Sequence, residues 1–418
     1  MRGTPRAMRL HIAILGRRNV GKSSILNAIT RQQVAIVSAV AGTTTDPVEK
    51  AMEFAPFGPV VFVDTAGLDD EGALGALRVG KTHRILDRVD LAVVVAAGDW
   101  GAFEEDVLEE LIRRATPSVV VFNKSDQWSP PPAALEYLAA RRVPWVSTRA
   151  DTGDGIGALR EALGAAGPPD ASAELPLVGD LVGPGGLAVL VAPIDKEAPK
   201  GRLILPQVQA IRDLLESDAL CMVVKERELR AAFSRLRQPP QLVVTDSQAF
   251  LQVVDDTPAD VHLTSFSILL ARYRGDLVTQ VAGALAIDAL RPGDRVLVAE
   301  ACTHHPTDED IGRVKLPRWL TQYAGGQLEF TTVQGHDFPD DLSGFRLAVL
   351  CGGCTINRRE VLSRIGRCRE AGVPVTNYGL AIAFSLGIFE RALGPFPGAL
   401  AAFREYAARG GGRRADAA

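Results

Sequence analysis

The residues with the clearest capacity for chemistry form a glycine-rich loop near the start of the chain. The segment GRRNVGKS has the spacing of a phosphate-binding loop and lies between the apolar run HIAIL and the helix-like segment SSILNAIT; it contributes Gly16, Gly21, Lys22 and Ser23. Backbone N–H groups in such a loop, and at the start of the following helix, bind phosphate oxygens. Lys22 is expected to contact the β and γ phosphates, and the Ser23 hydroxyl, followed by Ser24, to belong to a magnesium site. The spacing therefore predicts a site for a nucleoside triphosphate with Mg²⁺.

Two further motifs are expected to complete the magnesium shell and contact the γ phosphate. Asp64-Thr-Ala-Gly67 ends the apolar run VVFVD and offers a carboxylate to the magnesium and a glycine N–H to the γ phosphate. Upstream, the segment GTTTD lies where a switch loop supplies a threonine to the metal, and Thr44 is the best candidate. The predicted catalytic residues are Lys22, Asn19, Thr44 and Gly67.

Two later motifs predict that the base is guanine. Asn123, Lys124 and Asp126 form an Asn-Lys-x-Asp motif after the run SVVVF. The Asp126 carboxylate accepts hydrogen bonds from the N1 and N2 donors of guanine, which adenine lacks. Ser147 and Thr148, after the run VPWV, fit the loop that closes over the guanine O6. Because the motifs occur in order at the ends of apolar runs, they predict a GTP-binding and GTP-hydrolysing domain.

In these motifs the domain resembles the TrmE and Era group of GTPases. Thr45 replaces the charged residue of that group's switch, and Leu68 stands where Ras-like enzymes have a water-orienting glutamine. The resemblance implies that an asparagine at the place of Asn19 helps to hold a potassium ion, which takes over the charge-stabilising role of an arginine finger. Potassium-activated GTP hydrolysis is therefore an expectation from the resemblance.

Three of the five cysteines predict a second site. Cys302-Thr-His304 follows the run DRVLVAE, and Cys351-Gly-Gly-Cys354 follows the run FRLAVL. Both motifs are thus expected at the carboxyl ends of parallel strands, where open α/β sheets bind ligands. Three thiolates at this edge can hold a soft metal centre. The spacing leaves open an iron–sulfur cluster with a non-cysteine fourth ligand and a Cys₃His zinc site, with His304 as a candidate ligand.

Four other residues bear on this second site. Cys221 and Cys368 lie in apolar segments and are expected to be core residues. His336 is a weaker candidate ligand, which would have to fold back towards the cysteines. Asp180 is a weaker candidate that would supply an oxygen ligand.

Composition excludes several classes of protein. With 418 residues, 47% hydrophobic and 23% charged, the chain is expected to be a globular protein of more than one domain. A net charge of −4 gives no field that attracts nucleic acid, and no apolar run is long enough for a membrane helix. Neither nucleic acid nor a membrane is therefore expected as a partner, and a cytoplasmic location is expected. The odd number of cysteines argues against a disulfide framework.

Apolar runs and helical segments alternate along the chain, which predicts an α/β protein of three domains. Residues 1–168 are predicted to be a doubly wound P-loop GTPase domain, which the Ala-, Gly- and Pro-rich segment GAAGPPDASAELP ends. Two smaller α/β domains are predicted at 176–263 and 264–418.

The motifs together resemble the HydF family of FeFe-hydrogenase maturation GTPases along nearly the whole chain. The segments that carry the resemblance are GTTTDPVEKAMEFAPFGPVVFVDTAGLDDEGALG, VAPIDKEAPKGRLILPQVQAIRDLL, ACTHHP and CGGCTINRRE. The resemblance implies that Cys302, Cys351 and Cys354 hold a 4Fe-4S cluster in the domain at 264–418, and that the protein carries a diiron precursor to the apo-hydrogenase. It also implies a homodimer formed through the domain at 176–263, and contacts with the radical enzymes HydE and HydG and the hydrogenase HydA.

One departure from the family concerns the fourth cluster ligand. Many relatives have a histidine directly before the Cys-x-x-Cys motif, whereas this chain has Leu350. A ligand from that position is excluded, which leaves His304, an external ligand or the precursor itself. The resemblance further implies that GTP does not drive the cluster chemistry but controls partner binding, through a switch loop that the γ phosphate orders.

Two other functions remain open from the sequence. An RNA-modifying or ribosome-assembly GTPase would require a basic RNA-binding appendage, whereas the C-terminal part offers thiolates. A zinc metallochaperone GTPase would bind zinc without iron or sulfide. The metal content of anaerobically purified protein distinguishes these alternatives.

Overall fold

The computed structural model describes residues 5–30, 48–64, 85–168, 175–193, 203–301 and 310–410. The chain divides into two compact units, Met1–Glu174 and Leu175–Ala418. Each unit is built on parallel strands with connecting helices, which confirms the predicted α/β class. None of the helices in these ranges is both long and apolar enough to cross a membrane.

The N-terminal unit is built on one six-stranded sheet. Its strands are β1 (Leu10–Leu15), β2 (Val48–Phe54), β3 (Gly58–Asp64), β4 (Leu91–Ala96), β5 (Ser118–Phe122) and β6 (Trp145–Ser147). They are ordered β2-β3-β1-β4-β5-β6. β2 pairs antiparallel with β3, and the other pairs are parallel. The carboxyl ends of β1, β3, β5 and β6 lead into the predicted nucleotide motifs.

The apolar runs form central strands because both faces of the sheet are covered. Along β1, Ile12 and Ile14 pack into one hydrophobic cluster, and Ala13 and Leu15 pack into another. All four side chains are fully buried. A parallel strand that is buried on both faces requires an uninterrupted apolar run. The helices of this unit are α1 (Lys22–Thr30), α2 (Ala102–Arg113), α3 (Pro132–Arg141) and α4 (Ile156–Ala166).

The C-terminal unit contains two four-stranded parallel sheets. The first consists of β7 (Leu187–Val191), β8 (Leu220–Val224), β9 (Leu242–Thr245) and β10 (His262–Ser265), in the order β10-β9-β7-β8. The second consists of β11 (Arg295–Glu300), β12 (Glu329–Gln334), β13 (Leu347–Leu350) and β14 (Val375–Asn377), in the order β12-β11-β13-β14. All pairs in both sheets are parallel.

Helices cover these two sheets. They are α5 (Gly179–Val182), α6 (Leu205–Glu216), α7 (Leu229–Phe233), α8 (Phe250–Asp256), α9 (Phe266–Arg274), α10 (Leu277–Leu285), α11 (Leu316–Ala324), α12 (Arg358–Glu370), α13 (Tyr378–Ser385), α14 (Phe389–Leu393) and α15 (Pro397–Ala408). A single hydrophobic cluster includes Val243 and Leu263 from the first sheet and Val296 and Val349 from the second. The two sheets therefore share one core.

The structure contains strands that the sequence pattern did not predict, namely β2, β10, β12 and β14. Each is short or only partly buried, so its apolar run is weak. β10 spans residues on both sides of the predicted domain boundary at 263/264. The division into domains at 1–168, 176–263 and 264–418 stays a prediction.

Candidate functional site

The phosphate-binding loop connects β1 to α1. Lys22 begins α1, and its Nζ donates to the carbonyl oxygens of Gly16, at 2.9 Å, and Arg17, at 2.6 Å. Gly16 and Gly21 have φ values of 144° and 93°. A Cβ on Gly16 would lie 2.3 Å from the carbonyl oxygen of Val95 in β4. Both positions therefore require glycine, and the loop holds the Lys22 ammonium within its own curve.

Ser23 and Asp64 meet at the carboxyl edge of the sheet. The Ser23 hydroxyl donates to Asp64 Oδ2 over 2.7 Å and so joins α1 to the end of β3. Asp64 is 4% exposed, and its Oδ1 has no hydrogen-bond donor within the described ranges. The pKa of Asp64 is raised, because burial raises it more than the Ser23 hydrogen bond and the Lys22 charge lower it. This pair of oxygen donors fits the predicted Mg²⁺ site.

Asn123 connects three of the predicted motifs. Its Nδ2 donates to the carbonyl oxygen of Val20 over 2.9 Å, and its Oδ1 accepts from Thr148 Oγ1 over 3.1 Å. Both Asn123 and Thr148 are buried. Lys124 Nζ donates to the carbonyl oxygen of Asn19 over 2.8 Å. The phosphate-binding loop, the Asn-Lys-x-Asp motif and the second base loop are thus held together at one edge of the sheet.

Two of the residues expected around the base, Asp126 and Ser147, are exposed. Asp126 follows β5, with the Arg149 guanidinium 3.9 Å from its carboxylate, and Ser147 ends β6. Asn19 is also exposed and has a φ of 60°, a left-handed conformation that asparagine tolerates. Ser24 lies partly buried in the first turn of α1. These positions suit contact with a nucleotide bound along the carboxyl edge.

An ion pair that the sequence analysis missed fixes the phosphate-binding loop. Arg17 Nε and Nη2 donate to the two carboxylate oxygens of Glu104, at 2.7 and 2.9 Å. Glu104 lies in the first turn of α2, is fully buried, and also accepts from the N–H of Gly101 at 3.0 Å. In the sequence, the three-residue spacing from Gly101 to Glu104 is typical of a helix N-terminus, where such a glutamate caps the first turn. This spacing did not indicate that Glu104 also binds Arg17.

Four predicted site residues lie outside the described part of the chain: Thr44, Gly67, Cys302 and His304. Their roles stay predictions. Within the described part, no group of three or more histidine, cysteine, aspartate or glutamate side chains is arranged to hold a metal ion.

Cys351 and Cys354 lie in a turn that follows β13. The Cys351 sulfur accepts hydrogen bonds from the N–H groups of Ala301, at 3.0 Å, and Gly353, at 3.4 Å. Gly353 has a φ of 65°, which allows the chain to turn tightly between the two cysteines. Ala301 follows β11 and directly precedes Cys302 in the sequence. The residue before the first cysteine motif thus contacts the second motif.

Burial raises the pKa values of both thiols of this turn. The two N–H groups that bond the sulfur of Cys351 oppose this effect, and the charge of Arg274 opposes it at Cys354. Binding of a metal to these thiols must therefore release protons. Cys368 is fully buried, as expected, and burial raises its pKa to about 12. Cys221 is only partly buried on β8.

The two weaker candidates have other partners. His336 Nδ1 lies 2.9 Å from Glu360 Oε2, on α12. Both carboxylate oxygens of Asp180 accept from the Arg272 guanidinium. Each side chain is thus engaged in an ion pair or hydrogen bond that explains its position without a metal.

Three family models match the chain. Residues 11–124 match the 50S ribosome-binding GTPase, residues 177–275 match the hydrogen maturase F dimerization domain, and residues 278–395 match the hydrogen maturase F tetramerization domain. The two hydrogen maturase F domains together span more than half of the chain. The phosphate-binding loop lies in the first match, and the Cys351 turn lies in the third.

Curated relatives match about a third of the chain. The tRNA modification GTPase MnmE of Nitrosospira multiformis is 34% identical over 157 residues, which cover 36% of this chain and 34% of the relative. MnmE of a Synechococcus species is 39% identical over 155 residues, 36% of this chain and 32% of the relative. GTPase Der of Thermotoga neapolitana is 40% identical over 124 residues, 28% of each chain. The alignments thus span about a third of these relatives' length or less.

Two solved structures show a weak likeness. A variant of Era from Aquifex aeolicus bound to GDP·AlF₄⁻ is 20% identical at a TM-score of 0.34, over 54% of this chain and 97% of that one. The G domain of the T. maritima FeoB iron transporter is 21% identical at a TM-score of 0.30, over 38% and 98%. The N-terminal unit contains a P-loop GTPase domain, and the chain belongs to the hydrogen maturase F family.

Proposed function

We propose that the protein is a FeFe-hydrogenase maturation GTPase that holds a 4Fe-4S cluster and acts as a scaffold, delivering a diiron subcluster precursor to the apo-hydrogenase. Cys302, Cys351 and Cys354 would supply the three thiolates of the cluster. One observation carries the proposal: two backbone N–H groups donate to the Cys351 sulfur at the carboxyl end of β13, within a hydrogen maturase F domain.

The donor set of this turn fits an iron–sulfur cluster. Backbone hydrogen bonds to sulfur stabilise a thiolate and are one of the factors that set a cluster's reduction potential. Three thiolates leave one iron position for His304, an external ligand or the precursor itself. When bound, the cluster supplies a one-electron redox centre with an exchangeable coordination position. The protein's part is to hold the thiolates and to keep the site partly shielded from water.

GTP binding and hydrolysis are proposed for the N-terminal unit. Lys22 would contact the β and γ phosphates, Ser23 and Asp64 would hold Mg²⁺, and the loops with Thr44 and Gly67 would respond to the γ phosphate. A switch loop that the γ phosphate orders and hydrolysis releases would change which partner is bound. On this proposal GTP controls partner exchange. GTP does not supply the cluster chemistry.

Potassium assistance of hydrolysis is a further part of the proposal. Asn19 is exposed within the phosphate-binding loop, and Lys124 Nζ donates to its backbone carbonyl oxygen. A potassium ion there would stabilise charge on the phosphates in place of an arginine finger. Equal rates of GTP hydrolysis in sodium and potassium chloride would exclude this role.

Self-association is supported by the two matched oligomerization domains, and we propose a homodimer through the first of them. In the described part of this domain β8 is an edge strand, and its Leu220 and Val223 are 61% and 43% exposed. An apolar edge of this kind favours pairing with a second chain. HydE, HydG and HydA are the further proposed partners, in a cytoplasm whose reducing conditions suit free thiols.

The cluster proposal is tested by metal analysis of anaerobically purified full-length protein. We expect brown protein with about four iron and four sulfide per chain and an electron paramagnetic resonance signal after reduction. Cys351→Ser is expected to lose most of this iron and sulfide. Cys221→Ser is the matched control, because Cys221 is a free cysteine on β8, and it is expected to retain them. Colourless wild-type protein that contains zinc and no sulfide would refute the proposal in favour of a zinc metallochaperone.

The role of GTP is tested by transfer to apo-hydrogenase. Lys22→Ala removes the ammonium that the loop holds, and we expect slower maturation of the hydrogenase at an unchanged cluster content. Maturation at the wild-type rate would count against any role for the nucleotide.

A further inference from the structure

A buried arginine lies directly beneath the cysteine turn. Arg274 is the last residue of α9 and is 1% exposed. A guanidinium that is removed from water requires a compensating negative charge or a full set of hydrogen-bond acceptors, because its desolvation is costly. The surroundings of Arg274 therefore indicate what its partner is.

Within the described ranges, one of the three nitrogen atoms of this guanidinium has acceptors. Nη1 donates to the carbonyl oxygens of Gly353, at 3.0 Å, and of Ile356. Gly353 directly precedes Cys354, so Arg274 fastens the turn that carries the cysteines. Nε and Nη2 are buried and have no acceptor among the residues that the structure describes.

The groups that act on the charge of Arg274 are its neighbour Tyr273 and, after it, the two cysteines of the turn. Burial lowers its pKa, and the groups that oppose this effect are Tyr273, Cys354 and Cys351. No carboxylate within the described ranges forms an ion pair with it. Tyr273 is its neighbour on α9, with the ring centre 5.9 Å from the guanidinium carbon.

We propose that Arg274 is the charge partner of the metal–thiolate centre. Its Nε–H and Nη2–H groups, which have no acceptor among the described residues, donate hydrogen bonds to sulfur of the bound cluster. This inference rests on the proposed iron–sulfur function. A 4Fe-4S²⁺ core with three thiolates carries one net negative charge, and reduction by one electron adds a second. A buried cation beside it therefore favours the reduced state and raises the reduction potential.

Substitutions at Arg274 separate this electrostatic role from the fastening of the turn. Arg274→Met removes both the charge and the donors. Arg274→Gln removes the charge but keeps a polar amide, and Arg274→Lys keeps the charge without the forked donors. Arg272→Met is the matched control, because Arg272 lies on the same helix but pairs with Asp180.

The experiment uses full-length protein reconstituted anaerobically with iron and sulfide. The readouts are iron and sulfide per chain, the midpoint potential from a dithionite titration followed by electron paramagnetic resonance, and the thermal midpoint with and without the cluster. We expect Arg274→Met and Arg274→Gln to lower the equilibrium constant for reduction at least tenfold, about 59 mV for one electron. The midpoint potential of Arg274→Lys should remain closer to that of the wild type, and the potential of Arg272→Met should equal the wild-type value.

The outcomes distinguish the inference from the proposed function. A wild-type potential in Arg274→Gln with a full cluster would overturn the role of Arg274. If Arg274→Met binds no cluster although its apo form unfolds at the wild-type temperature, the charge partnership is supported. An equal rise of the thermal midpoint on cluster binding in Arg274→Gln and wild type would contradict it. Wild-type protein that binds no iron and sulfide would refute the proposed function itself.

Discussion

Replacing Gly21 with alanine is expected to separate the phosphate-binding loop from the guanine-binding motif. Gly21 has a φ of 93°, and a Cβ built on it would lie 2.3 Å from Asn123 Nδ2. That amide donates to the carbonyl oxygen of Val20, and the same side chain accepts from Thr148. An alanine at position 21 must therefore displace the side chain that joins three motifs.

The magnitude follows from two contributions. A left-handed backbone costs a residue with a Cβ roughly 1–2 kcal/mol. Displacement of Asn123 leaves buried polar groups without partners, at about 1–3 kcal/mol more. Gly58→Ala is the matched control. Gly58 begins β3, at the end of the strand opposite to Asp64, and has a φ of 73°. A Cβ built on it would approach other atoms no closer than 3.9 Å. This variant should show the first contribution alone.

The assay is fluorescence of the full-length protein. Three of the four tryptophans, Trp100, Trp128 and Trp145, contact Phe122 in the N-terminal unit, so tryptophan emission mainly reports unfolding of this unit. We expect Gly21→Ala to lose about 2–5 kcal/mol of unfolding free energy, and Gly58→Ala about 1–2 kcal/mol. Affinity for a fluorescent GDP analogue should fall at least tenfold in Gly21→Ala alone. Equal destabilisation of both variants with unchanged GDP affinity would refute this reasoning.

Two further predictions concern base selection and pH. Asp126→Asn should weaken GTP binding by about 1.5–3 kcal/mol, because it removes charge-assisted acceptors. It should also favour xanthosine triphosphate, which has a carbonyl where guanine has an amino group. Competition binding measures both effects, and an unchanged preference for GTP would show that Asp126 does not contact the base. Glu360 is buried, which acts to raise its pKa, but the hydrogen bond from His336 and the charge of Arg364 outweigh this effect and leave the pKa lowered. The stabilisation by ionised Glu360 is therefore complete above the unfolded-state pKa of about 4.3 and is lost as the pH falls through the lower folded-state value. Glu360→Gln should thus lower the free energy of urea unfolding by about 1–3 kcal/mol at pH 7, and by progressively less below about pH 4. A loss that is independent of pH would contradict the ion-pair explanation.

Much of the nucleotide site could be predicted from the sequence because its chemistry is local. The spacing of Gly16, Gly21, Lys22 and Ser23 specifies a loop whose backbone conformation only certain residues adopt, and uninterrupted apolar runs identify strands that are buried on both faces. The Cys-x-x-Cys turn is equally local, since Gly353 gives it a left-handed residue between the two cysteines. Motif order along the chain then places these groups at the carboxyl edges of parallel sheets.

Only the tertiary structure decided which distant residues support these motifs. Glu104 reaches Arg17, Asn123 reaches Val20, and Arg274 reaches the carbonyl oxygens beside Cys354, each across a long stretch of sequence. No local pattern marks them, because an arginine in an apolar helix has the same sequence signature whether its end is solvated or enclosed. Strands β2, β10, β12 and β14, which are short or only partly buried, were missed for a related reason, since neighbouring strands and helices stabilise them more than their own apolar content. The sequence determined the chemical groups and the local turns that present them. Packing determined which charges are buried, and therefore which ones need a partner.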